Sequence, residues 1–176
     1  MMRPPRGRCL RGSTAPQGRE DLEEDDELHL ALHREADDLG KFATLMEIRS
    51  KEPLSRDDAA RFLDELLTQV TRACFDRGAD LVGHVKAFLR SPNGAMSASL
   101  IDLSKGATIT NEFDMGERFV AAEITFHIIV HGIWDPEVRD VALKAIDRVC
   151  KSSDLDYRIL KDYYSTEKSI AHHTKK

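Results

Sequence analysis

No stretch of 18 or more apolar residues occurs in this chain of 176 residues, which excludes an ordinary transmembrane helix. The three cysteines, Cys9, Cys74 and Cys150, are widely spaced and include no CxxC pair. They predict neither a disulfide framework nor a zinc ribbon, and this usage is typical of a reducing compartment. We therefore expect a soluble cytoplasmic protein in which Cys74 and Cys150 behave as small core residues.

Motifs that bind nucleotide phosphates or build hydrolase sites are also absent from the sequence. It contains no G-x-x-x-x-G-K-[ST], no G-x-G-x-x-G, no G-x-S-x-G and no H-E-x-x-H. The composition, 41% hydrophobic and 32% charged, is that of an ordinary globular protein. The sequence thus predicts a packed fold but leaves both cofactor and reaction unknown.

Charge is distributed unevenly along the chain. Residues 1–19 hold five arginines and no acid, and residues 20–27 hold seven acids. Residues 28–176 hold 21 basic and 24 acidic groups, a net charge of −3, so we expect no nucleic-acid binding by charge alone. The composition of residues 1–27 favours a disordered leader or a misassigned start codon, with a transit peptide as the alternative. We expect one domain over residues 28–164 and a polar tail over residues 165–176.

Apolar residues at three- to four-residue spacing predict helices before and after Pro53. The first covers about residues 28–48. The second begins after Ser55, whose capping-box partner is Asp58, and ends at Gly78.

A third helix is predicted from Asp135 to about residue 150. Asp135 is the expected N-cap, followed by a proline and a glutamate in the first turn. Trp134, just before it, is expected to cover the edge of the core.

Alternating apolar and polar residues predict strands over residues 79–90, 95–103, 107–113 and 118–131. Pro92-Asn93-Gly94 is a strong hairpin signal between the first two. A short last strand is predicted over residues 157–163. The predicted fold class is therefore α+β, an antiparallel meander of three to four strands with helices packed on one face and an additional short C-terminal strand.

The polar sides of three strands are expected to gather on the sheet face that the helices leave uncovered, because successive side chains point to opposite faces. This face combines polar, charged and aromatic residues, a mixture typical of surfaces that meet a partner or a ligand. Its predicted members are His84, Lys86, Phe88, Arg90, Ser97, Ser99, Phe119, Ala121, Glu123, Thr125, His127, Ile129 and His131.

From this face we expect a non-enzymatic binding or accessory protein that forms a homo-oligomer. A small-molecule or protein partner stays open, whereas a nucleic acid or a membrane is not expected. The expected binding residues are Lys86, Phe88, Ser97, Ser99 and Thr125.

The alternative hypothesis is a small enzyme with a site on the same face. Its catalytic residues are Glu123, His127 and His131. His127 and His131 are about 13 Å apart on a flat strand and cannot share a metal, so a metal is assigned to His84 and His127. An enzyme predicts a concave pocket, whereas an interface predicts a broad patch of about 800 Å² per partner.

Overall fold

The structure, a computed structural model, describes residues 39–164, which all lie in one compact unit, Asp38–Lys176. The predicted leader and tail lie outside the described residues. The elements are β1 (Leu39–Ser55), α1 (Arg56–Arg77), β2 (Leu81–Ser91), β3 (Gly94–Leu100), β4 (Thr108–Asn111), β5 (Arg118–His131), α2 (Asp135–Ser152) and β6 (Leu155–Asp162).

The strands form one antiparallel sheet in the order β4-β3-β2-β5-β1-β6. The apolar sides of α1 and α2 pack on one face of it and share a single core with the inward-facing strand residues. The predicted α+β class and the helices on one face are confirmed. The sheet has six strands, more than the three to four predicted. It is not a simple meander, because β5 follows β4 in the chain but pairs with β2 and β1.

The predicted helix over residues 28–48 is wrong wherever the structure describes it, because residues 39–48 belong to β1. Burial alternates along this strand, with Phe42 and Met46 buried and Lys41 and Arg49 exposed. Apolar residues four apart fit both a helix and one face of a strand. From Leu39 to Arg49, pairing with β5 provides hydrogen-bond partners for the backbone N–H and C=O groups of β1. This pairing favours the strand over the helix.

Helix α1 begins and ends as predicted. The Asp58 N–H donates to Ser55 Oγ at 3.2 Å, and the Ser55 N–H donates to the Asp58 carboxylate at 3.0 Å, which completes the capping box. Gly78 follows the helix at φ 121°, a conformation that favours glycine.

Helix α2 begins where predicted, but its N-cap is Trp134 and no side chain caps it. The Asp135 carboxylate instead accepts a hydrogen bond from the backbone N–H of Lys41 at 2.8 Å, which fixes the start of β1. Trp134 is 63% exposed and does not cover the core edge as predicted. Ile133, the preceding residue, is buried there.

The predicted β2–β3 hairpin is confirmed, with Ser91 opposite Gly94. The predicted inward alternation of β2 fails at its start, because the pairing with β5 shifts register between Val82 and His84. This bulge leaves Leu81 and Gly83, both predicted to face the core, exposed.

A second correction concerns the start of β5. Phe119, predicted on the uncovered face, is buried and stacks on Phe113 with ring centroids 5.3 Å apart. Val120, on the predicted core side, is 51% exposed. The β1–β5 pairing shifts register between Arg49 and Leu54, so alternation does not run unbroken through this end of the sheet.

Candidate functional site

The sheet face opposite the helices, called the open face below, is not covered by any helix or strand of residues 39–164. Phe88 lies near its middle and is 45% exposed. A row of side chains crosses all six strands through Phe88, and it consists of Thr110, Ser97, Phe88, Thr125, Leu45 and Lys161.

Two histidines meet on neighbouring strands beside this row. His127 of β5 lies opposite Lys86 of β2, and His84 of β2 lies opposite Ile129 of β5. The atoms His84 Nε2 and His127 Nδ1 are 3.2 Å apart, and the rings meet edge to face with centroids 5.0 Å apart. These residues, called the histidine pair below, fulfil the expectation that His84 lies beside His127.

The pKa values of both imidazoles lie below the ordinary value of 6.5. Partial burial is the main cause for both, because it disfavours the charged form. The charge of Lys86 lowers both further, and the charges of His84 and Lys41 act on His127 as well. The pair is therefore biased toward neutral imidazoles, and a hydrogen bond between the rings requires at least one neutral ring nitrogen as acceptor.

Acidic side chains lie at the other end of the open face. Glu47 and Glu123 stand opposite each other on β1 and β5, and Arg90 stands opposite Glu123. Glu47 contacts Arg49 at 2.8 Å and Arg158 at 3.3 Å, and the Arg49 hydrogen bond is the main reason that its pKa is lowered.

Two recesses of about 300 and 350 Å³ flank Glu47 and are not lined by the histidine pair. The recess that His127 does line, with Lys41 and Asp135 among its other residues, holds only about 60 Å³. Organic ligands usually occupy about 300–1,000 Å³, and the recess that His127 lines is much smaller than that.

The predicted catalytic residues share β5 but do not converge. Glu123, His127 and His131 follow one another at four-residue steps of about 13 Å each. His131 lies at the strand end, where its Nδ1 is 2.7 Å from the Asp80 carboxylate. The predicted binding residues are closer together, because Lys86, Phe88, Ser97, Ser99 and Thr125 all lie in two adjacent rows.

The histidine pair supplies only two potential metal ligands. Within residues 39–164, no group of three or more histidine, cysteine, aspartate or glutamate side chains is placed to hold a metal ion. The assignment of a metal to His84 and His127 stays a prediction. Cys74 and Cys150 are buried and free, and burial raises the pKa of both thiols to about 12, so neither acts as a nucleophile.

The prediction missed the contribution of β1 to the open face because it assigned residues 28–48 to a helix. Exposed or half-buried residues at odd positions of β1 alternate with buried residues at even positions. Ala43 and Leu45 are apolar and Thr44 is polar, so this period of two was weak in the sequence. The missed open-face residues are Lys41, Ala43, Leu45, Glu47 and Arg49.

Neither α1 nor α2 combines the length and apolarity that a membrane crossing requires, and they are the helices of the part that the structure describes. Comparison of the chain with protein-family models, with curated proteins and with solved structures gives no match.

Proposed function

We propose that this protein is a binding protein of the cytoplasm that associates with a second copy of itself through the open face. The observation that carries the proposal is the row through Phe88, which places a half-exposed aromatic ring among hydroxyl side chains. An aromatic anchor with polar surroundings is the arrangement common at protein interfaces.

The open face has roughly the extent that a dimer interface requires. The width of the face is five strand spacings of about 4.8 Å, and its length from Lys41 to Arg49 is eight residue steps of about 3.3 Å. The product is a projected area of about 600 Å². Side chains that project from the sheet increase the accessible area above this projected area, toward the value of about 800 Å² per partner that is typical of a standard interface. Its neutral middle, formed by Phe88, Thr125 and Leu45, needs no charged group to be desolvated at the centre.

The second candidate function is catalysis by the histidine pair. The 3.2 Å contact between His84 and His127 favours it, because a neutral imidazole with a lowered pKa is a competent general base. The 60 Å³ recess at His127 weighs against it, and Glu123 lies four residues away on the same strand. We therefore rank association above catalysis.

The test is the solution mass of the full chain by sedimentation velocity over a range of concentrations. We expect a species above monomer mass, and we expect Phe88→Asp to shift it to monomer because a buried, unpaired carboxylate opposes association. Met115→Asp is the matched control, since Met115 is 86% exposed in the β4–β5 loop away from the row.

A wild-type chain that stays monomeric at every concentration contradicts the proposal, as does equal dissociation by both substitutions. Turnover of a substrate that His127→Gln abolishes and Met115→Asp leaves intact would favour the enzyme instead.

A further inference from the structure

We infer that the histidine pair and the two lysines beside it form a binding site for a tetrahedral oxyanion, the chemistry of a phosphate group. The inference deepens the proposed function by assigning a ligand to one end of the open face. It rests on the position of these side chains, on the lack of ion pairs to the lysines from residues 39–164 and on the donors around them.

Four basic side chains occupy two adjacent rows of the sheet. Lys41 of β1 and His84 of β2 flank Ile129 of β5, and Lys86 and His127 face each other in the next row. Neighbouring strands are about 4.8 Å apart, so an anion above Ile129 lies within reach of both lysine side chains and of the histidine pair.

The lysine charges are not neutralised within the described chain. Neither Lys41 nor Lys86 makes an ion pair with a residue of 39–164, whereas Glu47 at the opposite end contacts two arginines. Both ammonium groups are close enough to lower the pKa of His127. Among residues 39–164, the histidine end of the face therefore carries two lysine charges without an ion-pair partner, and such charges attract anions.

Uncharged donors continue the same row. Ser99 lies opposite Lys86, and Thr108 lies opposite Ser99, so two hydroxyl groups border the basic cluster. Hydroxyl, ammonium and imidazole N–H groups are the donors that bind phosphate and sulfate oxygens.

The same surroundings disfavour a divalent cation. A metal at His84 and His127 would have only two protein ligands in the described chain and would lie beside two ammonium groups. Zinc sites usually have three or four protein ligands, and like charges repel at this distance. An oxyanion is stabilised by every charged group of the cluster, so the cluster favours the anion.

Three carboxylates lie around the site. Asp135 accepts the Lys41 backbone N–H, and Asp80 contacts His131, two residues beyond Ile129, at 2.7 Å. Glu123 lies farther away on the same face of β5, beyond Thr125. Among residues 39–164, none of the three makes an ion pair with Lys41, Lys86 or the histidine pair. A bound dianion favours protonated imidazoles, so binding is expected to strengthen as pH falls below about 6.5.

The experiment is a titration of the full chain with sodium sulfate near pH 6, with sodium chloride replaced to keep ionic strength constant. The NMR signals of the His84 and His127 rings, assigned through the His→Gln variants, are expected to shift together and to saturate. Inorganic phosphate, which is mostly the monoanion at this pH, is expected to shift the same signals at higher concentrations than sulfate. Acetate is expected to bind more weakly than either, because it has only two oxygens. Acetate binding as tight as sulfate binding would overturn the tetrahedral assignment.

Lys86→Gln is expected to weaken sulfate binding about tenfold, the loss of one charge-assisted hydrogen bond. Lys144→Gln, an equal charge change at an exposed position of α2, is the matched control and is expected to leave it unchanged. The site would be overturned if the histidine NMR shifts did not saturate with sulfate, or if Lys86→Gln and Lys144→Gln weakened sulfate binding equally. Either result would mean that sulfate acts only by nonspecific screening of charge. Stoichiometric zinc binding through both histidines, without sulfate binding, would overturn it in favour of the metal.

Failure of the site and failure of self-association give different results. Phe88→Ser removes the aromatic anchor without adding a charge beside Lys86. As a monomer, this variant is expected to keep the sulfate-dependent shifts, because the basic cluster belongs to one chain. A monomeric wild type that binds sulfate contradicts association only. An oligomeric wild type, together with a Phe88→Ser monomer whose histidine signals ignore sulfate, contradicts the site only, because no partner covers the cluster in the monomer.

Discussion

At the scale of single residues, the histidine pair departs from the ordinary chemistry of histidine through its lowered pKa. His84 and His127 are close, partly buried and next to Lys86, and each of these conditions opposes protonation. Their position on a sheet face, and not a motif in the sequence, brings these conditions together.

The lowered pKa of the histidine pair predicts a loss of stability in acid. The unfolded state takes up protons near pH 6.5 and the folded state only at lower pH, so the free energy of unfolding falls as pH drops below about 6.5. His127→Gln is expected to reduce the difference in unfolding free energy between about pH 7.5 and about pH 5, measured by urea denaturation.

Lys86→Gln is also expected to reduce the pH dependence of the free energy of unfolding, because it removes a charge that lowers the pKa of both rings. Lys144→Gln should leave the pH dependence as in the wild type. Parallel pH curves for His127→Gln and the wild type would show that the pair does not titrate with folding.

At the scale of elements, the N-terminal half of β1 depends on the close approach of Gly40 to Ile133 and Val138. A Cβ added at Gly40 would overlap the carbonyl oxygen of Ile133 and meet Val138 Cγ2 at 2.6 Å. Gly40 lies within residues 28–48, for which the sequence predicted a helix. In the fold it lets β1 lie directly against the start of α2.

Gly40→Ala is therefore expected to lower the free energy of unfolding by at least about 2 kcal/mol, since backbone must move to admit a methyl group. Urea denaturation provides the measurement. Gly116→Ala serves as comparison, because nothing lies within 4 Å of a Cβ there and only its positive φ of 89° opposes the change, at about 1 kcal/mol. A Gly40→Ala variant no less stable than Gly116→Ala would contradict the close approach.

Elements were predictable from the sequence where local signals sufficed. The capping residues Ser55 and Asp58 and the terminal Gly78 located α1, since each acts within a few residues of its own backbone. The alternation in β5 located that strand to the residue. β1 was missed because its apolar spacing fits a helix equally well and only the distant β5 distinguishes the two.

At the scale of the whole molecule, the open face carries more positive than negative charge. Its basic side chains outnumber the acidic ones by six to three: Lys41, Arg49, Lys86, Arg90, Arg158 and Lys161 against Glu47, Glu123 and Asp156. The sequence suggested only a nearly neutral body. The fold thus gathers positive charge on the one face that its helices leave free.

This charge predicts the salt dependence of self-association. Two open faces that meet repel each other, so association is expected to tighten as sodium chloride rises from about 20 to about 300 mM, which screens the repulsion. Sedimentation velocity across this range measures it, and sulfate at equal ionic strength should tighten it further if the oxyanion site is occupied. Association that weakens with salt would mean that opposite charges pair across the interface.

The sequence by itself determined the class of fold, the position of α1, the hairpin after Ser91 and the presence of one polar sheet face, because each follows from local periodicity or a local hydrogen bond. Only the tertiary structure decided which strands are neighbours. That choice places His84 against His127, brings Lys41 beside them and turns Phe119 into the core. Strand order depends on contacts between residues far apart in the chain, and no local pattern encodes them.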